Sequence, residues 1–202
     1  MNDIIIPAIC CIGYNRADSM SRLLTSVEKA VYDDNNIPLI ISIDESDKSD
    51  EVESVAKNFK WTHGEKIIKR YPKRLGLKEH CLLCGDFSMK YGAALFLEDD
   101  AVVTPGYYRY TKAAVNYYKN ETKVLAISLY AQKWSQAMGC EMIPAYNGYD
   151  TFFFQRELSH GLCWMGSGWK EFREWYKTPE GQKPVYNKDV PSSVYGWKPE
   201  KS

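Results

Sequence analysis

A chain of 202 residues, 45% hydrophobic and 26% charged, is sized for one α/β domain with a sizeable core. Its 26 Lys and Arg balance 26 Asp and Glu, which excludes the global field that recruits nucleic acid or an anionic membrane. An anionic ligand must then be held locally, by a few placed groups or a bound cation.

Ile4 to Ile12 is a near-continuous apolar run, the mark of a strand buried on both faces. It is too short for a membrane span, and Met1-Asn2-Asp3 lacks the basic start of a signal peptide, so the expected location is cytoplasmic, at most peripheral at the membrane face. After Tyr14-Asn15-Arg16, the spacing of Met20, Leu23, Leu24, Val27 and Val31 predicts a helix with Asp18 as N-cap. Pro38 to Ile43 is a second buried strand, ending at Asp44. Val52, Val55, Ala56 and Phe59 mark a second helix, with Asp50 and Glu53 spaced as a capping box. Lys66 to Lys69 is a short strand. A helix follows from about Leu75 to Tyr91, with Leu77, Cys81, Cys84 and Ser88 on one stripe. Ala93 to Leu97 is another buried strand, running directly into Glu98-Asp99-Asp100. Thr104-Pro105 suits an N-cap and first helical position, opening a tyrosine-rich helix to about Asn120. Val124 to Leu129 is the last strand of the series.

Past Tyr130 the alternation stops. Tyr146, Tyr149, Phe152, Phe153, Phe154, Trp164, Trp169, Trp175 and Tyr176 crowd there, suited to stacking on sugar rings and equally to filling a core. One short helix is legible around Lys170 to Tyr176. Of the six cysteines, Cys10 and Cys11 sit in one strand facing opposite ways. Cys81 and Cys84 form a CxxC on a helix, with no second pair at zinc spacing. They read as small apolar fillers, and reduced thiols as the general state.

Alternating buried strands and helices imply a mostly parallel sheet with helices on both faces. Such sheets bind ligands beyond the carboxyl ends of their strands. Tyr14, Asn15 and Arg16, then Asp44, then Glu98 to Asp100 all fall at those ends. Three adjacent carboxylates repel one another, and a divalent cation relieves that repulsion. Hard oxygen donors suit Mg²⁺ or Mn²⁺, which keep open positions for phosphate oxygens. The competing reading is a solvated acidic turn.

The run Leu75-Gly76-Leu77-Lys78-Glu79-His80, a helix, Ala94-Leu95-Phe96-Leu97-Glu98-Asp99-Asp100, and then Val102 to Tyr108 resembles the GT-A-fold glycosyltransferases. It is most similar to the N-acetylglucosaminyltransferase I family and shares the acidic motif with bacterial family-2 glycosyltransferases. Asn15-Arg16, Ile41-Ser42-Ile43-Asp44 and Gly161-Leu162-Cys163-Trp164 extend the likeness over residues 4 to 175. The resemblance implies a GT-A α/β fold: 1–130 as the nucleotide-sugar-binding half and 131–202 as the acceptor-side half, shortened at its C-terminus. It implies Asp100 as direct metal ligand for Mn²⁺ or Mg²⁺, with Glu98 and Asp99 near the ribose and the metal. It implies Asp44 on the uracil, and Tyr14, Arg16, Arg74 and His80 against the nucleotide and phosphates, with Trp164 near the sugar. Glu79 stands where the family has Arg, which leaves one fewer cation for the diphosphate.

Inverting transfer needs a carboxylate base to deprotonate the acceptor hydroxyl. Asp189 is the first Asp after Trp164, though without the family's Trp-Asp-Asp context. The expected activity is transfer of a sugar from a UDP-sugar donor to a glycan or glycolipid acceptor. Two rivals stand beside it: a sugar nucleotidyltransferase, against which the single Gly13 after the first strand argues, and a nucleotide- or glycan-binding module without turnover.

Overall fold

A computed structural model describes residues 4–135, 139–146, 148–154 and 160–182. The chain order is β1 (Ala8–Gly13), α1 (Ala17–Glu28), β2 (Leu39–Ile43), α2 (Ser49–Asn58), β3 (Lys66–Arg70), α3 (Leu77–Tyr91), β4 (Ala93–Glu98), α4 (Tyr107–Tyr118), β5 (Ala126–Ser128), β6 (Trp134–Ser135), β7 (Cys140–Glu141), β8 (Leu162–Met165), α5 (Gly166–Tyr176) and α6 (Pro179–Gln182). Six strands form one sheet in the order β3-β2-β1-β4-β8-β5, with β6 and β7 as a separate two-stranded pair. β1, β2, β3 and β4 are parallel, and β8 runs antiparallel to both its neighbours. The sheet is therefore mostly parallel, as the alternation of elements predicts.

Alternate strand residues feed two apolar layers. Ile9, Cys11, Leu39, Ile41, Leu95 and Leu97 pack against Met20, Leu23, Leu24 and Val27 of α1 and Tyr107 and Tyr108 of α4. Ala8, Cys10, Ile12, Ile40, Ala94 and Phe96 pack on the other face, against Leu82 and Cys84 of α3 and Trp169 of α5. Cys10 and Cys11 thus face opposite layers, as their adjacency in a strand requires. Every residue of β1 and β2 is buried, so the continuous apolar runs report helices on both faces.

Several local expectations are corrected. Residues 4–7 join no strand, and β1 begins only at Ala8. Asp18 lies inside the first turn of α1, where Arg16 is the N-cap and no side chain caps the helix. Asp50 and Glu53 form no capping box; both reach Arg70 at the end of β3, the Glu53 contact at 3.2 Å. A guanidinium gathering carboxylates from another element outcompetes a local cap. Thr104-Pro105 precedes a turn, and α4 begins at Tyr107. On α3 the buried line is His80, Cys84 and Ser88, whereas Leu77 is 48% exposed. The Gly161–Trp164 stretch, beyond the point where the sequence predicts the alternation to stop, is largely β8, a strand inserted between β4 and β5.

Candidate functional site

The C-terminal ends of β1, β2 and β4 share one rim, because the three strands are parallel and paired in register through Gly13↔Ile43 and Ile12↔Glu98. At that rim Arg16 forms an ion pair with Asp99 and reaches Asp100 Oδ2 at 3.2 Å. Asp99 is 4% exposed, while Asp100 points into solvent at 57%. Burial raises the Asp99 carboxyl above its usual range even though Arg16 pulls the other way. Glu98 is raised too, by burial first and by repulsion from Asp100 second. One guanidinium therefore faces three carboxylates. Arg74 lies over the Tyr14 ring at 4.9 Å, a cation–π contact that places a second exposed guanidinium on the rim.

Asp44 also ends its strand at this rim, but it is 3% exposed and its oxygens turn inward. Oδ1 accepts from the backbone N–H of Glu45 at 2.9 Å and of Leu75 at 2.8 Å, and Oδ2 accepts from Gly76 at 3.0 Å. Gly76 has φ 80, a left-handed conformation suited to glycine, and directly precedes α3. The Asp44 carboxylate thereby anchors the loop that carries Arg74. His80 is 3% exposed, with Nε2 2.7 Å from Ser42 Oγ and its ring edge-on to Tyr71 at 5.4 Å, within the helix–sheet packing. Trp164 pairs with Ala94, at the start of β4 and four residues before Glu98. It packs edge-on to Trp169 at 5.2 Å and beside Phe172 at 6.1 Å, a core contact remote from the rim. Asp189 lies outside the described residues.

The antiparallel register brings in a residue that the sequence alone did not single out. Phe96 pairs with Leu162, and His160, two residues before Leu162, lies near enough to Glu98 for their charges to interact. Its charge opposes the upward shift of Glu98, consistent with that placement. On its other side His160 meets the Tyr130 ring edge-on at 5.2 Å. The signal in the sequence was slight: one of three histidines, directly before Gly161. Only the register of β8 gives it meaning.

A cleft of about 620 Å³, lined by Tyr117, Tyr118, Tyr149, Phe152, Phe153 and Phe154, lies elsewhere. Asn116 exchanges hydrogen bonds with the Ile5 backbone at 2.9 and 2.8 Å. Ile5 precedes β1, so the end of α4, and the aromatic cleft with it, lies towards the N-terminal ends of the strands, away from Glu98. The aromatic crowding beyond Tyr130 is thus divided between that cleft and the α3–α5 packing.

The arrangement can hold an anion by two guanidiniums and a hard cation by carboxylate oxygen. Among the described residues no three His, Cys, Asp or Glu side chains gather as a metal-binding group. The donor chemistry nonetheless fits a divalent cation bound by few protein ligands. Asp100 is exposed and shares the Arg16 guanidinium with Asp99, and burial and neighbouring carboxylates raise Glu98 beside it.

A family model described as the SPBC1E8.03c C-terminal domain matches residues 18–180. Among solved structures, GalNAc-T7 with UDP, GalNAc and Mn²⁺ superposes with a TM-score of 0.59 at 16% identity, over 83% of this chain and 37% of that one. S. aureus TarS gives 0.52 at 13% identity, over 87% of this chain and 32% of that one. TarS 1-349 in complex with UDP gives 0.51 at 13%, over 88% and 52%. The chain thus spans about a third to a half of these structures, and the sheet has their GT-A-like arrangement. No curated protein matches it in sequence.

Proposed function

The chain belongs to the family of the SPBC1E8.03c C-terminal domain, and we propose that it is a glycosyltransferase domain that moves a sugar from a UDP-sugar to a glycan or glycolipid acceptor. The observation that carries this reading is the convergence of Arg16, Tyr14–Arg74 and Glu98–Asp100 on one strand-end rim of a GT-A-like sheet. Within it, residues 1–130 supply most of the donor side. β8, from 131–202, is hydrogen-bonded into the same sheet, so the two halves share one scaffold.

Each residue has a role that follows from its surroundings. Asp99, buried and ion-paired, fixes the Arg16 guanidinium at the rim, where it faces the donor's negative charge. Arg74, stacked on Tyr14 and carried by the loop that Asp44 anchors, meets the diphosphate from the other side. Asp100 would hold Mn²⁺ or Mg²⁺, which supplies charge neutralisation to the departing diphosphate. Glu98 and His160 flank that position. Asp189 is the proposed base for the acceptor hydroxyl, in an inverting displacement. It follows Gln182 by seven residues, a tether of at most about 25 Å. That tether starts at the end of α6, which follows α5, whose Tyr176 lies 5.2 Å below Lys78 in the first turn of α3. A hexosyl or N-acetylhexosaminyl donor in the manner of N-acetylglucosaminyltransferase I is the finer form of this proposal. Among the described residues no helix is long and apolar enough to cross a membrane.

UDP titrations by calorimetry test the reading. Affinity should fall in chelator, return with Mn²⁺, and lose that rescue in Asp100→Ala. Equal affinity with and without chelator would sink the metal role. One observation favours a second reading, a binding module without turnover: Arg16 already bridges Asp99 and Asp100 as a resident cation. Tight UDP binding with no release of UDP from any UDP-sugar, acceptor present, would favour the module.

A further inference from the structure

At the rim one nitrogen serves two carboxylates. Arg16 Nη2 donates to Asp99 Oδ1 and to Asp100 Oδ2, the latter at 3.2 Å. The two contacts differ in kind. Asp99 is buried, and a carboxylate so placed is costly to leave without a partner. Asp100 and Arg16 are both more than half exposed, so water can replace either of them in the outer contact. Arg16 stands three residues past β1 and Asp100 two residues past β4, and these strands are parallel neighbours. The backbone therefore keeps the two side chains within reach of each other whether or not the bridge is made.

We propose that Arg16 is a built-in competitor for the divalent cation at Asp100, a guanidinium that Asp100 must leave before it takes a metal ion. This rests on the metal role given to Asp100 above and adds what controls it. An Asp100 oxygen that accepts from Arg16 is not free to act as a ligand, and the guanidinium charge beside it opposes a second cation. Asp100 gives up only the outer, water-exposed contact, while Arg16 stays on buried Asp99. The Nη2 hydrogen that Asp100 leaves becomes a donor for a phosphate oxygen. Breaking the bridge thus offers an acceptor to a cation and a donor to a phosphate at once, and binding of the two is coupled in both directions. With neither ligand present the bridge closes and satisfies both halves.

Titration of the full chain with Mn²⁺ alone, followed by the electron paramagnetic resonance of the free ion, tests this without UDP and without turnover. Arg16→Gln keeps the backbone carbonyl that accepts from the Met20 N–H at 3.0 Å, and its amide can still donate to Asp99. It should therefore fold, with the far-ultraviolet circular dichroism of the wild type. It should bind Mn²⁺ about two- to fivefold more tightly, the worth of one exposed ion pair. In an Asp99→Asn background Arg16 has only Asp100 of the pair's two carboxylates to hold, so the gain from Arg16→Gln should be at least as large there. In the wild type, nitrogen-15 spectra give a second readout: the Arg16 Nε–H resonance should move as Mg²⁺ is added. Loss of Mn²⁺ binding in Asp100→Ala with no gain in Arg16→Gln leaves the metal role standing and overturns the competition. Binding that survives Asp100→Ala removes the metal role, and the competition with it. A gain that vanishes in the Asp99→Asn background assigns the extra affinity to Asp99 and overturns the proposal, as does an Arg16 resonance unmoved at saturating Mg²⁺.

Discussion

Removing the Asp44 carboxylate separates an anchoring residue from a base-binding one. Two of its three hydrogen bonds run to Leu75 and Gly76, 31 and 32 positions away, and the group is 3% exposed. Asp44→Ala leaves those two amides without their acceptor. Hydrogen bonds to a charged group are worth about 1.5–3 kcal/mol each, so the pair amounts to about 3–6 kcal/mol. Water entering the vacated site at the rim draws this towards about 3–4 kcal/mol. For a chain of this size each kcal/mol shifts Tm by roughly 2–4 °C, giving a fall of about 6–16 °C. Asp44→Asn keeps one acceptor oxygen but turns an NH₂ towards an amide N–H, so it should fall between wild type and Asp44→Ala. Urea unfolding and thermal scans measure both variants, beside UDP titrations at a temperature where each is folded. Asp44→Ala melting with the wild type while losing UDP affinity would refute the anchoring argument and return the residue to the base.

Three further outcomes follow from the same geometry. A Cβ at Gly85 would overlap the Trp169 indole, whose Nε1 donates to Asp86 at 2.9 Å. Gly85→Ala should therefore cost about 1–3 kcal/mol or more by overpacking the α3–α5 contact; wild-type stability in urea would contradict that contact. Glu98 carries a raised pKa in the fold, so its ionisation opposes folding: the associated stability is present below its unfolded pKa and is lost as pH rises through the folded value. Glu98→Gln should thus raise Tm at pH 7 without metal, with the gain vanishing below the ordinary carboxylate range; a gain independent of pH would contradict the sign. Trp164→Ala should cost about 3 kcal/mol, the lower end for a Trp that is only partly buried. UDP affinity of the folded variant should stay unchanged, and a selective loss of affinity would move Trp164 back to the donor sugar.

The sequence by itself determined the elements that bury both faces or one stripe. The apolar runs of β1, β2 and β4, and the 3.6-residue spacing of Met20, Leu23, Leu24 and Val27, follow from burial, which each residue reports for itself. It also located Tyr14, Arg16, Asp44 and Glu98 to Asp100 on a common rim, because parallel strands joined by helices bring their carboxyl ends to one side. Only the tertiary structure decided which polar atoms meet. Asp50 and Glu53 fit a local cap on spacing alone, yet Arg70 arrives from β3 and takes both. Asp44 reads as a free strand-end acid until Leu75 and Gly76 come back to it. β8 is four residues long in an irregular stretch, and its insertion beside β4 decides both that Trp164 packs on Trp169 and Phe172 and that His160 comes near Glu98. Periodicity records how a residue meets water or core along its own element. Hydrogen bonds and register join residues distant in the chain, and those pairings exist only once the sheet has closed.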